Sequence, residues 1–245
     1  MNYITNLGCR ILISFCLCFL LSCVKDTKPE GAAALTIVNA VVGSTPLVTN
    51  FSGRDSLLYL DANQVYYGNV AQFGSYSGTV HLGLFQYPDT TSHDSPLFDL
   101  SFDLPVNSIH SLFLTGTPSA PESILVTDVL PNHEDSVVGI RFVNLSPGSS
   151  PVNFRLSSSV DNEVSGLAFK KITDFKTYPV IAGISSYTFE VSDVATGDVL
   201  TSYTLDGINY GTDGDTSPNR FRFNNFTIAL IGEPGSQELI LINNY

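Results

Sequence analysis

Apolar and polar positions alternate with a period of two at several places along the chain. Tyr187-Thr188-Phe189-Glu190-Val191 is one instance and Arg220-Phe221-Arg222-Phe223 is another. That period sends successive side chains to opposite faces, which is the signature of a strand. Other segments are short runs rich in Val, Ile, Leu, Phe, Tyr and Thr, broken by Gly, Pro, Asn, Asp and Ser. Helical spacing is almost absent. The pattern predicts strands over 35–41, 79–85, 109–115, 137–144, 187–191, 220–230 and 238–242. Strands at this spacing with turns between them give an all-β fold built of sandwiches.

The chain also repeats itself. Residues 37–46 align with 142–151 at an offset of 105, so that Val38-Asn39 meets Val143-Asn144, Gly43-Ser44 meets Gly148-Ser149 and Pro46 meets Pro151. Near the end of each repeat, Gly116 and Pro118 align with Gly232 and Pro234, and Glu122, Ile124 and Val126 align with Glu238, Ile240 and Ile242, now at an offset of 116. Two collinear blocks imply a tandem duplication with a net expansion of 11 residues in the second copy. The copies are assigned to 34–135 and 136–245, with a short polar linker over 130–135. Each has the size of an immunoglobulin-like sandwich. Gly-Ser-x-Pro after the opening strand reads as a turn, and Gly-x-Pro near each end as the last hairpin.

The N-terminus has another character. Arg10 precedes an apolar run over 11–21, shorter than the roughly 20 residues needed to span a bilayer. It fits the core of an export signal, residues 1–22. Leu20-Leu21-Ser22-Cys23 resembles the lipobox of bacterial lipoproteins, in which the Cys is acylated and becomes the new N-terminus. The resemblance implies a lipidated Cys23, a tether over 23–33, and a partner in the membrane itself. The competing reading is an ordinary secretory signal with an incidental Cys. All 4 cysteines (Cys9, Cys16, Cys18 and Cys23) lie in this region, so the folded part has neither disulfides nor thiolate ligands. Its domains are expected to be held by apolar cores alone. Lys25-Asp26 after the Cys partly resembles the surface-export signal of Bacteroidota lipoproteins, which implies a place in the cell envelope, at the outer membrane and open to export to its surface; the competing reading is a plain solvated linker.

Charge narrows the partners. The formal net charge is -12, and nucleic acid, which needs a Lys/Arg footprint, is excluded. Phe142-Val143-Asn144-Leu145-Ser146-Pro147-Gly148, the Ala182-Gly183 turn after Tyr178, and the strand ending at Gly232 resemble the bacterial family known as domain of unknown function 4397. In the first copy Phe73-Gly74 is read in place of Ala182-Gly183. The resemblance implies an extracytoplasmic β-sandwich, often found in Bacteroidota lipoproteins. It supplies no catalytic residues.

Candidate chemistry is sparse. A nucleophilic site needs Ser or Thr beside an oriented base, and no G-x-S-x-G elbow occurs. His81, His93, His110 and His133 show no metal-ligand spacing and read as exposed strand and loop residues. The loop from Asp206 to Ser217 is the strongest candidate site. Asp206, Asn209, Asp213 and Asp215 among glycines could wrap Ca²⁺, a hard ion taking about 6 to 8 oxygens. Asp-Gly loops also arise from turn chemistry alone. The segment 89–94 is a weaker acidic loop. Asp55-Ser56-Leu57, Asp89-Thr90-Thr91 and Asp135-Ser136-Val137 resemble the Bacteroidota O-glycosylation pattern, which marks Ser56, Thr90 and Ser136. Tyr66, Tyr67, Phe73, Tyr76, Tyr87 and Tyr210 lie in or near turns, where aromatic faces can stack on sugar rings. The expectation is a non-enzymatic, lipid-anchored envelope module for adhesion, structure or protein interaction. The alternative is a glycan-binding accessory lipoprotein of a nutrient-uptake system.

Overall fold

The structure is a computed structural model that describes residues 31–51, 62–90, 94–212, 216 and 218–244, without the side chains of Ser75 and Tyr76. Gly31–Tyr245 forms one compact unit. Its first eight strands are β1 Ala32–Asn39, β2 Leu47–Asn50, β3 Gln64–Val65, β4 Val70–Tyr76, β5 Gly78–Gln86, β6 Phe98–Leu104, β7 Ile109–Thr117 and β8 Ala120–Thr127. The next eight are β9 Val137–Asn144, β10 Val152–Leu156, β11 Asn162–Leu167, β12 Lys176–Pro179, β13 Ser186–Asp193, β14 Val199–Asp206, β15 Asn225–Ile231 and β16 Glu238–Asn244. The protein is all-β.

The strands form four sheets, β4-β1-β7-β8 with β3-β2-β5-β6, and β12-β9-β15-β16 with β11-β10-β13-β14. Adding eight to every label of the first pair gives the second. Both contain one parallel pairing, β1 with β7 and β9 with β15. The two sequence offsets hold residue by residue in the registers. Ala34 pairs with Ile109, and their equivalents Gly139 and Asn225 pair likewise.

Side-chain bonds repeat as well. Asn39 Oδ1 accepts from Val41 N at 3.0 Å while its Nδ2 donates to Val65 O at 3.0 Å and Ser44 Oγ at 3.3 Å. Asn144 Oδ1 accepts from Ser146 N at 3.0 Å, and its Nδ2 donates to Leu167 O at 3.1 Å and Ser149 Oγ at 3.0 Å. Each buried amide thus ties the end of the first strand to the turn after it and to the third strand. The Gly-x-Pro elements are the tight β7–β8 and β15–β16 hairpins. A Cβ on Gly116 would lie 2.2 Å from Ala120 O, and one on Gly232 would lie 2.4 Å from Ser236 O. Both glycines have positive φ, where only Gly is unstrained.

Each sandwich has its own core. Leu35, Ile37, Leu47, Leu82, Leu84 and Leu112 fill the first. Phe142, Phe154, Phe189, Tyr178 and Ile228 fill the second, and the Phe142 ring stands 4.7 Å from Phe154 and 5.3 Å from Phe189. A third cluster joins the two: Val38, Ala40 and Phe113 pack with Val143, Leu145, Ala229, Ile231 and Ile242. The sheets that contain β1 and β9 are therefore covered on both faces. This explains why β1, β7, β9 and β15 are buried along almost their whole length while β13, in an outer sheet, alternates.

The contact between the inner sheets follows an internal two-fold. Thr115 Oγ1 on β7 donates to Leu145 O just beyond β9 at 2.6 Å, and Gln72 Nε2 on β4 donates to Asn243 O on β16 at 3.1 Å. Glu122 on β8 pairs with Lys170, and the equivalent Glu238 faces Tyr67, beside Gly68. Such a contact is isologous, the same surface used by both halves. The inner strands β1, β7, β9 and β15 all run from one end of the molecule, here the base, to the other, the crown.

Four expectations change. Residues 220–223 are a turn rather than the start of β15. Asn219 Oδ1 accepts from the backbone N of Phe221 at 2.9 Å and of Arg222 at 3.1 Å, and Phe223 has φ of 65°. Phe73-Gly74 is not the counterpart of Ala182-Gly183. Ser75 pairs with Ala33 as Tyr178 pairs with Val138, which leaves Phe73-Gly74 inside β4. His110 is buried, not exposed. Apolar cores do not hold the molecule alone, because charged and polar groups are buried between the halves.

Candidate functional site

Arg141 projects from β9 into the contact between the sandwiches, with its side chain 5% exposed. Its Nη2 lies 2.7 Å from Asp128 Oδ1, and its Nε donates to Thr227 Oγ1 at 2.8 Å. Ser111 Oγ donates to Asp128 Oδ2 at 2.6 Å, and Thr227 Oγ1 donates to Asn244 Oδ1 at 2.6 Å. The Phe175 ring covers the guanidinium at 4.7 Å. Under the repeat, Ser111 matches Thr227, Asp128 matches Asn244 and Thr36 matches Arg141. The ion pair therefore occupies one half of the two-fold contact. At the equivalent half, Thr36 Oγ1 and Asn244 Nδ2 are buried without a hydrogen-bond partner among the described residues. A buried pair of this kind fixes register more than it adds stability. It matches copy one to copy two, since two first copies would set each Asp128 against a Thr36 and two second copies each Arg141 against an Asn244, leaving buried charges without an opposite.

His110 stands beside this network. Its Nε2 contacts Ser108 Oγ at 2.8 Å, and burial lowers its pKa against the opposing pull of Asp128. The linker is docked too, for Asn225 Oδ1 meets His133 Nε2 at 2.8 Å and Asn225 Nδ2 donates to Pro131 O at 3.0 Å. In the second sandwich Tyr178 OH donates to Glu163 Oε2 at 2.9 Å, and Tyr187 OH donates to Pro179 O at 2.7 Å. Burial first, then Glu163, pushes the Tyr178 phenol well above its ordinary range. These tyrosines brace the core.

The candidate calcium loop lies at the base, between β14 and β15. It spans 207–224, where the first copy has only 105–108, so the expansion inferred from the offsets falls here. Asp206 ends β14 opposite Ser186, and Asn209 sits in the turn that follows. Asp213 and Asp215 lie outside the described residues. The carbonyls of this loop are engaged by its own side chains. Asn219 Nδ2 donates to Ile208 O at 2.9 Å and Tyr210 O at 2.5 Å, and Arg222 Nη2 donates to Gly211 O at 3.3 Å. Thr212 Oγ1 donates to Asn209 O at 2.5 Å. Among the described residues no three His, Cys, Asp or Glu side chains come together as a metal site. Sequence reasoning missed Asn219 and Arg222, whose signal was an Asn two residues before a buried Phe at a chain reversal.

The remaining marked residues are dispersed. Cys23 and Ser56 lie outside the described residues. Thr90 is 2% exposed with its hydroxyl enclosed, and Ser136 Oγ donates to Val180 O at 2.6 Å. Tyr66, Tyr87 and Tyr210 are each about half exposed, the first two at the crown and the third at the base. No helix among the described residues is long and apolar enough to cross a membrane.

No family model matches the chain, and no curated protein matches it. Solved structures do. A streptococcal virulence factor that binds alpha-glucan aligns over 86% of this chain and 96% of its own, at 11% identity and a TM-score of 0.26. A family 26 carbohydrate-binding module from Eubacterium rectale, in complex with maltoheptaose, covers 85% and 95% at 8% identity and a TM-score of 0.24. A DUF3823 family protein from Bacteroides ovatus covers 73% and 99% at 9% identity and a TM-score of 0.20. Likeness at this level bears on neither the ligand nor the activity of this chain.

Proposed function

We propose that the protein is a lipid-anchored component of a bacterial cell envelope, held through Cys23, whose fused sandwiches act by binding rather than by catalysis. The supporting observation is where the buried polar groups lie. Asn39, Asn144, Ser111, Asp128, Arg141 and Thr227 join strands, turns and halves to one another, a use that is structural. Loops at the crown and base are left to meet partners, as in other two-sheet folds. The resemblances to domain of unknown function 4397 and to the lipobox support assigning such a module to Bacteroidota, at the outer membrane. Growth with an alkynyl fatty acid tests the anchor. The label should enter the native protein and be absent from Cys23→Ser. Label retained in the variant would overturn the reading, and protease shaving of intact cells reports the side on which the domains lie.

A second reading, glycan binding, is favoured by two crown tyrosines. Leu47 pairs with Val65 on one side and Gln86 on the other, so Tyr66 and Tyr87 emerge from the strands flanking β2. Two strand spacings separate them, about 9–10 Å, and both rings are about half exposed. On a glycan array, binding lost in Tyr66→Ala would support this reading, and silence of the native protein would remove it.

A further inference from the structure

Ala32 opens β1 at the base, so the chain that leads back to Cys23 departs from that end. The exit is fixed by backbone bonds: Ser77 N donates to Gly31 O at 3.3 Å, and Asn107 N donates to Ala32 O at 2.9 Å. Eight positions separate Gly31 from Cys23, a reach of at most about 28 Å. An acyl chain on Cys23 therefore holds the base, not the crown, near the bilayer.

The base presents large apolar side chains on turns, where polar residues are the rule. Val106 lies between β6 and β7, and Val129 follows β8. Val160 lies between β10 and β11, Ile181 between β12 and β13, and Tyr210 and Phe223 between β14 and β15. Each is about half exposed or more, and Val160 reaches 92%. None is needed by the cores described above. The second copy has lengthened two of its three base loops that carry them. Residues 180–185 stand where the first copy has only Ser77, and 207–224 where it has 105–108. Backbone bonds hold the two loops together, with Gly207 N and Ile208 N both donating to Ser185 O, at 3.1 and 3.0 Å.

We infer that the base is a membrane-contacting surface, and that these side chains enter the boundary between headgroups and acyl chains of the bilayer that holds the lipid on Cys23. The inference rests on the lipid-anchor reading. Amphipathic and aliphatic residues at this depth add binding in proportion to their buried apolar area. Asp103, Glu134, Asp135 and Asp161 are exposed at the same end, so attraction to anionic lipid is not the driving force. The contact should form on zwitterionic lipid and survive high salt, which screens only charges.

The chain contains no Trp, so one substitution creates a unique fluorescent reporter. The acylated full-length protein would be placed in phosphatidylcholine vesicles whose acyl chains carry bromine, a short-range quencher. Phe223→Trp and Ile181→Trp should shift to the blue and lose roughly half their emission, as insertion of about 5–10 Å requires. Tyr66→Trp at the crown should do neither, and added salt should change nothing. Absence of quenching at both base positions, or equal quenching at Tyr66→Trp, would overturn the inference. Flotation with the vesicles and the intact mass of the Cys23 segment are read separately. A protein that lacks the lipid mass fails the anchor reading instead, whatever the reporters show.

Discussion

The two copies share a topology, a register and a pair of buried asparagine brackets, yet they differ where they meet. At the position where copy one has Thr36, copy two has Arg141. Where copy two has Asn244, copy one has Asp128. The asparagine brackets inside each copy kept their residue type, whereas these positions at the contact diverged into complementary ones. A symmetric contact between identical halves accepts any pairing of copies, but an asymmetric buried charge pair accepts only one.

The largest test of this contrast is Arg141→Met, which leaves Asp128 buried without its partner and should cost about 3–5 kcal/mol in denaturant unfolding. The equivalent change in the other copy, Thr36→Val, removes a hydroxyl that has no partner and should be close to neutral. Arg141→Met combined with Asp128→Leu should recover most of the loss, and no recovery would mean that the pair is not the source. Next come Gly116→Ala and Gly232→Ala. A side chain at positive φ costs about 1–3 kcal/mol, and the backbone oxygens at 2.2 and 2.4 Å place both at the upper end. The two should match, since the hairpins are equivalent. Unequal midpoint shifts would show that one copy relaxes where the other does not. Asn39→Ala and Asn144→Ala should each cost about 1–3 kcal/mol by orphaning a buried amide and a carbonyl. Hydrogen exchange should localise the loosening to the crown of the altered copy.

The smallest effect is one of pH and belongs to copy one. Burial lowers the His110 pKa, so the unfolded chain binds more protons than the folded one below about pH 6.5. Stability from this group is present above that pH and lost as pH falls. His110→Asn should flatten the acid side of the melting-temperature profile. The equivalent residue in copy two, Phe226, gives no such term, and an unchanged slope in His110→Asn would assign the acid sensitivity elsewhere.

Much of the architecture was legible in the sequence because duplication writes itself twice. Asn39 with Ser44 and Asn144 with Ser149 kept their spacing because each amide must reach the same turn. Gly116 and Gly232 persisted because a carbonyl stands where a Cβ would be. The largely apolar stretches over 109–115 and 137–144 were read as strands, but their full meaning was missed. A strand apolar on both faces is covered on both, and these cover each other. Arg141 inside such a run was the available clue to a buried charge. Four alternating residues at 220–223 misled, because a period of two over so short a stretch is also met by a turn, and Asn219 supplies one. The Asp128–Arg141 contact was not readable, since it depends on how two finished sandwiches dock. The base patch was hidden for the same reason. Val106, Val160, Ile181 and Phe223 are isolated apolar residues in separate turns until the topology brings those turns to one end.

The docked linker between β8 and β9 makes the two-fold contact an internal event. Identical separate domains would form this contact only above some threshold concentration, and would fall apart on dilution. Joined by a short segment, each half sees the other at an effective concentration on the order of millimolar, whatever the abundance of the chain. A chain present at low abundance therefore keeps its paired form even as a solitary molecule. One half can then lengthen its loops toward a new contact while the other preserves the frame.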